Sequence, residues 1–172
     1  MAWRAAASTG VVEVSDGRLR VVWTSAGVAF VEEERLGIKP RIEKRLKMQL
    51  IEKPVPAIIK RGLARAARRP GEDDLPIDLT WARDFERDVL LAARDIPWGE
   101  TRPYSWLARA ARRPLAVRAA ASVIAREPLW YLIPWHRVVH KGSTVVRAST
   151  FSKLKQRLLE RERGSKRSKR TI

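Results

Sequence analysis

The sequence predicts an α+β fold: a small N-terminal α/β domain, made of a strand hairpin plus helices, then a mostly helical C-terminal domain with a helix-turn-helix. Three observations predict it. Leu19, Val21 and Trp23 alternate with Arg18, Arg20 and Val22, the period-two pattern of a half-buried strand. Beyond Pro40 the apolar residues recur at helical spacing, as in Ile42, Leu46 and Leu50. Two short helical stretches, Ser105 to Ala111 and Leu115 to Arg126, flank a basic break at Arg112 to Pro114.

Taken in order, Val11 to Val31 reads as β-structure, with a turn at Thr24 to Gly27 and a second strand from Val28; the acidic cluster Glu32 to Glu34 closes the unit. A helix is predicted over Arg41 to Glu52 and stopped by Pro54 and Pro56, and another over Ala57 to Arg68. Arg69 to Thr80, rich in proline, glycine and acid, reads as a linker. Phe85, Val89 and Ala93 mark an amphipathic helix ending at Arg94, and Ile96 to Gly99 reads as a turn. The helix from Leu115 is ended by Glu127-Pro128. Leu154, Leu158 and Leu159 form the apolar stripe of a last helix, which carries Glu162. The predicted organisation is a support domain over residues 1–76, a mostly helical domain with a helix-turn-helix over 77–163 and a basic tail over 164–172.

The charge is large and uneven. The chain carries a net +17 with a pI near 11.3. Residues 1–80 hold 15 Lys+Arg against 11 Asp+Glu, and residues 81–172 hold 21 against 8. A basic half points to a polyanion, nucleic acid first, although a merely soluble surface rich in Lys and Arg gives the same count. With no cysteine and only two histidines, thiolate metal sites, disulfides and cysteine nucleophiles are excluded, and neither a metal nor a cofactor is expected. No apolar run approaches the ~20 residues of a membrane span, and the N-terminus is too short in hydrophobic length for a signal peptide, so an intracellular, cytoplasmic or nucleoid-associated or nuclear monomer without membrane contact is expected.

Chemistry concentrates in Ile133 to Val139, IPWHRVV, which reads as a buried strand delivering His136 to a pocket. Trp135 can fill, stack and donate one N–H bond, but it has no nucleophile to offer. Two readings of it stand side by side, a core indole after a proline and a pocket wall. Ala119, Ala120, Ala121 and Ser122 form a run of small side chains after Arg118. Such a run serves a close helix crossing, or a helix whose backbone approaches DNA.

These pieces resemble the O6-alkylguanine-DNA alkyltransferase family, through IDLTWARDFERDVLLAARDIPWGETRPYSWLA, RRPLAVRAAA, PLWYLIPWHRVV and KLKQRLLERE, in the family's order over roughly residues 77–163. The family's site motif is PCHR, whose cysteine accepts the alkyl group; here it is PWHR. That change is the mark of the alkyltransferase-like branch, which binds alkylated guanine without repairing it. The resemblance implies no enzyme activity and no catalytic residue, with Trp135 in the acceptor's seat and His136 and Glu162 as a relic of the relay. It implies that Tyr104 contacts the phosphate and helps rotate the nucleotide outward. Arg118 would fill the vacated stack, and Ala119, Ala120, Ala121 and Ser122 would lie on a recognition helix in the minor groove. It implies a lesion pocket of Tyr104, Trp135, Val146 and Ser149. Glu127 departs from the family's asparagine, and Lys141 to Phe151 lacks the family's glycines and tyrosine.

The implied function is that of a DNA damage sensor, which flips O6-alkylguanine from double-stranded DNA and flags it for nucleotide excision repair proteins. A lesion-blind architectural DNA-binding protein, or a residual alkyltransferase or hydrolase working through His136 and Glu162, are the other readings.

Overall fold

The computed structural model describes residues 5–140 and 150–168. They form two compact units: Met1–Arg83 with Pro128–Ile133, and Asp84–Glu127 with Pro134–Ile172. The class is α+β. The first unit holds a four-stranded sheet of order β3-β2-β1-β4, with β1 Ala5–Val14, β2 Gly17–Thr24, β3 Gly27–Glu33 and β4 Met48–Glu52. β1, β2 and β3 run antiparallel, and β4 lies parallel to β1.

In β2 and β3 consecutive residues are buried: Val21 and Val22, then Val28, Ala29, Phe30 and Val31. Successive side chains point to opposite faces of a strand, so both faces of these strands are covered. Helix α1, Ile38–Leu46, places Ile38, Ile42 and Leu46 in one cluster with Ala7, Val22, Phe30, Met48 and Leu50. Helix α2, Ala57–Arg68, buries Ile59, Leu63, Ala66 and Ala67. Arg20 is buried and holds Glu34 through two bonds, Nε to Oε2 at 2.6 Å and Nη2 to Oε1 at 2.9 Å, while its Nη1 reaches Glu52 Oε1 at 2.5 Å. A bidentate guanidinium–carboxylate pair thus ties β2 to the end of β3 and to β4.

Besides β1, which begins at Ala5 rather than Val11, and the stretch after Pro134 described below, three elements differ from the sequence reading. The helix read over Arg41 to Glu52 ends at Leu46, where Lys47 takes a left-handed φ of 56°, and Met48–Glu52 is a strand. A recurrence of four residues is even, so Ile42, Leu46 and Leu50 satisfy the helix period and the strand period alike. The stretch Arg69 to Thr80 is no free linker. Ile77 bridges Val28, Val28 N–H donates to Pro76 O at 2.8 Å, and Asp78 N–H donates to Val28 O at 2.8 Å. Finally, the last helix runs Thr150–Ser168, past Gly164 where the basic tail was read; its many Arg, Lys, Leu and Glu residues are good helix formers and no proline interrupts them.

The second unit is mostly helical: α3 Asp84–Arg94, α4 Tyr104–Ala110, α5 Val117–Ala125 and α6 Thr150–Ser168, with two-residue strands β5 Arg102–Pro103 and β6 Val138–Val139. α4 and α5 form the helix-turn-helix. Arg112 turns the chain at φ 57°, with its N–H on Arg109 O and the Arg113 N–H on Ala108 O, a Schellman-like end built without glycine. Arg113 then lies over the Phe85 ring of α3 at 5.7 Å.

Gly27 is where the first unit tolerates least. Its φ is +141°, and a Cβ there would lie 2.4 Å from Pro76 O. Gly27→Ala is expected to cost roughly 1–3 kcal/mol in urea unfolding, through backbone strain and the forced retreat of residues 76–78. A variant as stable as the parent would show that this approach is not needed.

Candidate functional site

Pro134 leads not into a strand but into a single 3-10 turn, Trp135–Arg137, and only then into β6. The turn replaces the buried strand of the sequence reading, because Arg137 N–H bonds back to Pro134 O at 2.9 Å before pairing begins. β6 pairs in parallel with β5, Arg102 with Val138 and Pro103 with Val139. That pairing sets Tyr104, the first residue of α4, beside the motif, with its ring 5.0 Å from the His140 ring.

Behind the turn lies one carboxylate, Glu162 of α6, which is 1% exposed. His136 Nε2 lies 2.6 Å from its Oε1, Arg137 Nε lies 3.1 Å from both oxygens, and Gly99 N–H donates to Oε2 at 2.7 Å. Arg137 is equally buried; it donates through Nη1 to Ile96 O at 2.6 Å and sits over the Trp98 ring at 5.5 Å. Burial pushes the Glu162 carboxyl up, but the hydrogen bonds from His136 and Arg137 outweigh it and hold the group below the usual carboxylate range. Burial also lowers the His136 pKa, against the pull of Glu162. The assignment is therefore one guanidinium, one carboxylate and a neutral imidazole that donates its Nε2 proton, since an ionised carboxylate can only accept.

The front of the site is aromatic and cationic. Trp135 is half-buried and meets the His136 ring edge-on, at 6.1 Å and 85°. Tyr104 is half-buried too, and burial raises its hydroxyl pKa. Beside both lies Lys155, 7% exposed, whose Nζ is 5.9 Å from the centroid of each ring and donates to Val138 O. Burial lowers its pKa to about 8. Sequence reasoning missed Lys155, yet a signal was present. Lys155, Leu158, Leu159 and Glu162 stand at i, i+3, i+4 and i+7, so two charged residues occupy the buried stripe of α6.

The remaining candidates divide. Arg118, Ala119 and Ser122 are exposed on α5 and Ala121 is half-buried, but Ala120 is fully buried and cannot present itself to a groove. The reason is the helix period: Ala120 shares the inward face with Val123 and Ile124. Glu127 is buried. Val146 and Ser149 lie outside the described residues. Among those described, no group of three or more His, Cys, Asp or Glu side chains could hold a metal ion, and no helix is long and apolar enough to cross a membrane.

The Glu162 pairing makes stability depend on acid. A carboxyl with a depressed folded pKa, and a histidine with a depressed folded pKa, both stabilise above their unfolded values and lose that contribution as pH falls through the folded ones. Unfolding free energy is expected to fall from pH 7 towards pH 4 in the parent and to fall less in Glu162→Gln. At pH 7 the variant is expected to lose roughly 3–5 kcal/mol, because Arg137 stays buried without its anion. A loss below about 1 kcal/mol would contradict this.

With that geometry in place, the family model for the 6-O-methylguanine DNA methyltransferase DNA-binding domain matches residues 84–164. The bifunctional transcriptional activator/DNA repair enzyme Ada of Escherichia coli is 42% identical over 88 residues, 51% of this chain and 25% of that protein. The constitutive methylated-DNA–protein-cysteine methyltransferase of Bacillus subtilis is 37% identical over 86 residues, 49% of this chain and 52% of that protein. The chain thus spans between a quarter and about half the length of these relatives. The crystal structure of Mycobacterium tuberculosis OGT in complex with DNA aligns with a TM-score of 0.69 at 22% identity, over 91% of this chain and 93% of that one, a likeness of fold. Residues 84–164 thus match the DNA-binding domain of the 6-O-methylguanine DNA methyltransferase family, with a site motif that reads Pro134-Trp135-His136-Arg137.

Proposed function

We propose that the protein is a non-enzymatic sensor of DNA damage, which binds the minor groove, turns O6-alkylguanine out of the stack and holds it for nucleotide excision repair. The observation that carries the reading is Trp135 in front of an intact His136–Glu162–Arg137 network, in a chain with no cysteine. The apparatus around the acceptor's seat is kept, and the seat holds a ring that cannot be alkylated in a thiol's manner. A protein that binds a lesion without reacting must pass it on, which is the reason to assign a repair partner.

The helix-turn-helix suits the polyanion. From Thr101 to Arg126 there are six arginines and no carboxylate. Phosphate contacts from such a surface supply affinity without sequence preference. The exposure of Arg118 on α5 supports a role for it in filling the gap left by an extruded base, and the short, exposed Ala119 and Ser122 support a close approach to the groove wall. Extrusion costs a few kcal/mol, less where alkylation weakens pairing. Tyr104 and Trp135 then offer flat partners for a purine, on the order of 1–3 kcal/mol per stacked base.

Binding of an O6-methylguanine duplex and its undamaged counterpart, at two salt concentrations, tests this. The lesion duplex should bind at least tenfold tighter at both salts, with no labelled methyl group passing to the protein. Equal affinity would favour a lesion-blind architectural role, and stable label on the protein would mean chemistry. Trp135→Ala should cut lesion preference by about fivefold or more, the lower end of a lost stacking contact. Arg118→Ala should weaken lesion binding by a similar factor.

A further inference from the structure

Lys155 is the one group at the site that the proposed sensing role leaves without a task. Its amine is buried, faces the two rings proposed to receive a nucleotide and donates to a backbone carbonyl, Val138 O. The buried carboxylate on the same face of α6, Glu162, is taken up by His136, Arg137 and Gly99. The chain has no thiol, so Lys155 is the strongest nucleophile the site can present once it loses a proton.

We infer that Lys155 captures abasic nucleotides in duplex DNA, forming an imine with the aldehyde of the ring-opened deoxyribose. The inference rests on the same nucleotide-receiving site as the proposed sensing function and adds a second lesion class to it.

An abasic nucleotide has no base to unstack, so it is the least costly to extrude. It would bring its C1′ aldehyde to the two rings, whose centroids lie 5.9 Å from Nζ. The chemistry balances within the site. The Nζ lone pair attacks C1′, the carbonyl oxygen takes up a proton to give a carbinolamine, and loss of water leaves the protonated C=N bond. Hydrolysis reverses it. A neutral amine can donate one N–H to Val138 O and still direct its lone pair towards the rings. With a pKa of about 8, roughly one Lys155 in five is neutral at pH 7.4, against about one in a thousand for an unperturbed lysine. The titratable and charged groups around it are Tyr104, His140 against the Tyr104 ring, His136, Arg137 and Glu162.

The test incubates the full chain with a duplex carrying one abasic nucleotide and sodium cyanoborohydride, which reduces the imine to a stable secondary amine. A duplex with the tetrahydrofuran analogue, which has no aldehyde, is the blank, and free 2-deoxyribose is the second arm. A covalent protein–DNA species should appear only with the abasic duplex, map by mass spectrometry to Lys155, and rise in yield towards pH 8. Lys155→Arg should lower the yield at least tenfold at matched DNA occupancy. Peptide mapping of the parent decides the question even where that variant folds poorly. An adduct mapped to other amines, equal labelling by free deoxyribose, or no adduct would overturn the inference. O6-methylguanine preference, measured on the same preparation, separates the two readings: preference without adduct removes only Lys155 capture, and adduct without preference removes only alkylguanine sensing.

Discussion

One buried carboxylate organises the second unit. Glu162 receives His136 and Arg137 from the 3-10 turn and the Gly99 amide from the turn after α3. Two segments distant in sequence are held to α6 by a single side chain. Removing a charge from water is costly, and only multiple well-formed hydrogen bonds make such a group acceptable inside a protein. The arrangement meets that condition: Arg137 neutralises the charge, and His136 adds a proton without adding a second charge. The turn that presents Trp135 owes its position to this network rather than to the indole itself.

The same network gives His136 and Glu162 structural work, since together with Arg137 they hold the 3-10 turn against α6. What faces outward is another matter. Two half-buried rings, Tyr104 and Trp135, flank a desolvated amine, a combination suited to stacking a flat ligand and poorly suited to a dry core.

Much of this was legible in the residues. The helix-turn-helix was visible in two short apolar-patterned stretches around Arg112 to Pro114, and the motif PWHR marked the turn that Glu162 holds. The sequence could not reveal that Met48–Glu52 is a strand, since residues spaced by four fit both periods, nor that Ala5–Gly10, with its short alanine-rich start, belongs to β1. Ile77 looked like part of a linker because a lone bridge to Val28 leaves no periodic mark. Lys155 escaped notice for a different reason. A charged residue on an apolar stripe is usually read as a stripe's edge, and only the fold shows that Lys155 and Glu162 both point inward.

In the proposed function, the Trp135 indole lines the space an extruded guanine would enter. Fluorine NMR of protein labelled with 5-fluorotryptophan tests it most directly, with the Trp135 resonance identified among the seven tryptophans by Trp135→Phe. Titration with an O6-methylguanine duplex is expected to move that resonance, while an undamaged duplex leaves it in place. A Trp135 signal that stays fixed with the lesion, or moves equally with both duplexes, would mean that the indole does not meet the extruded base.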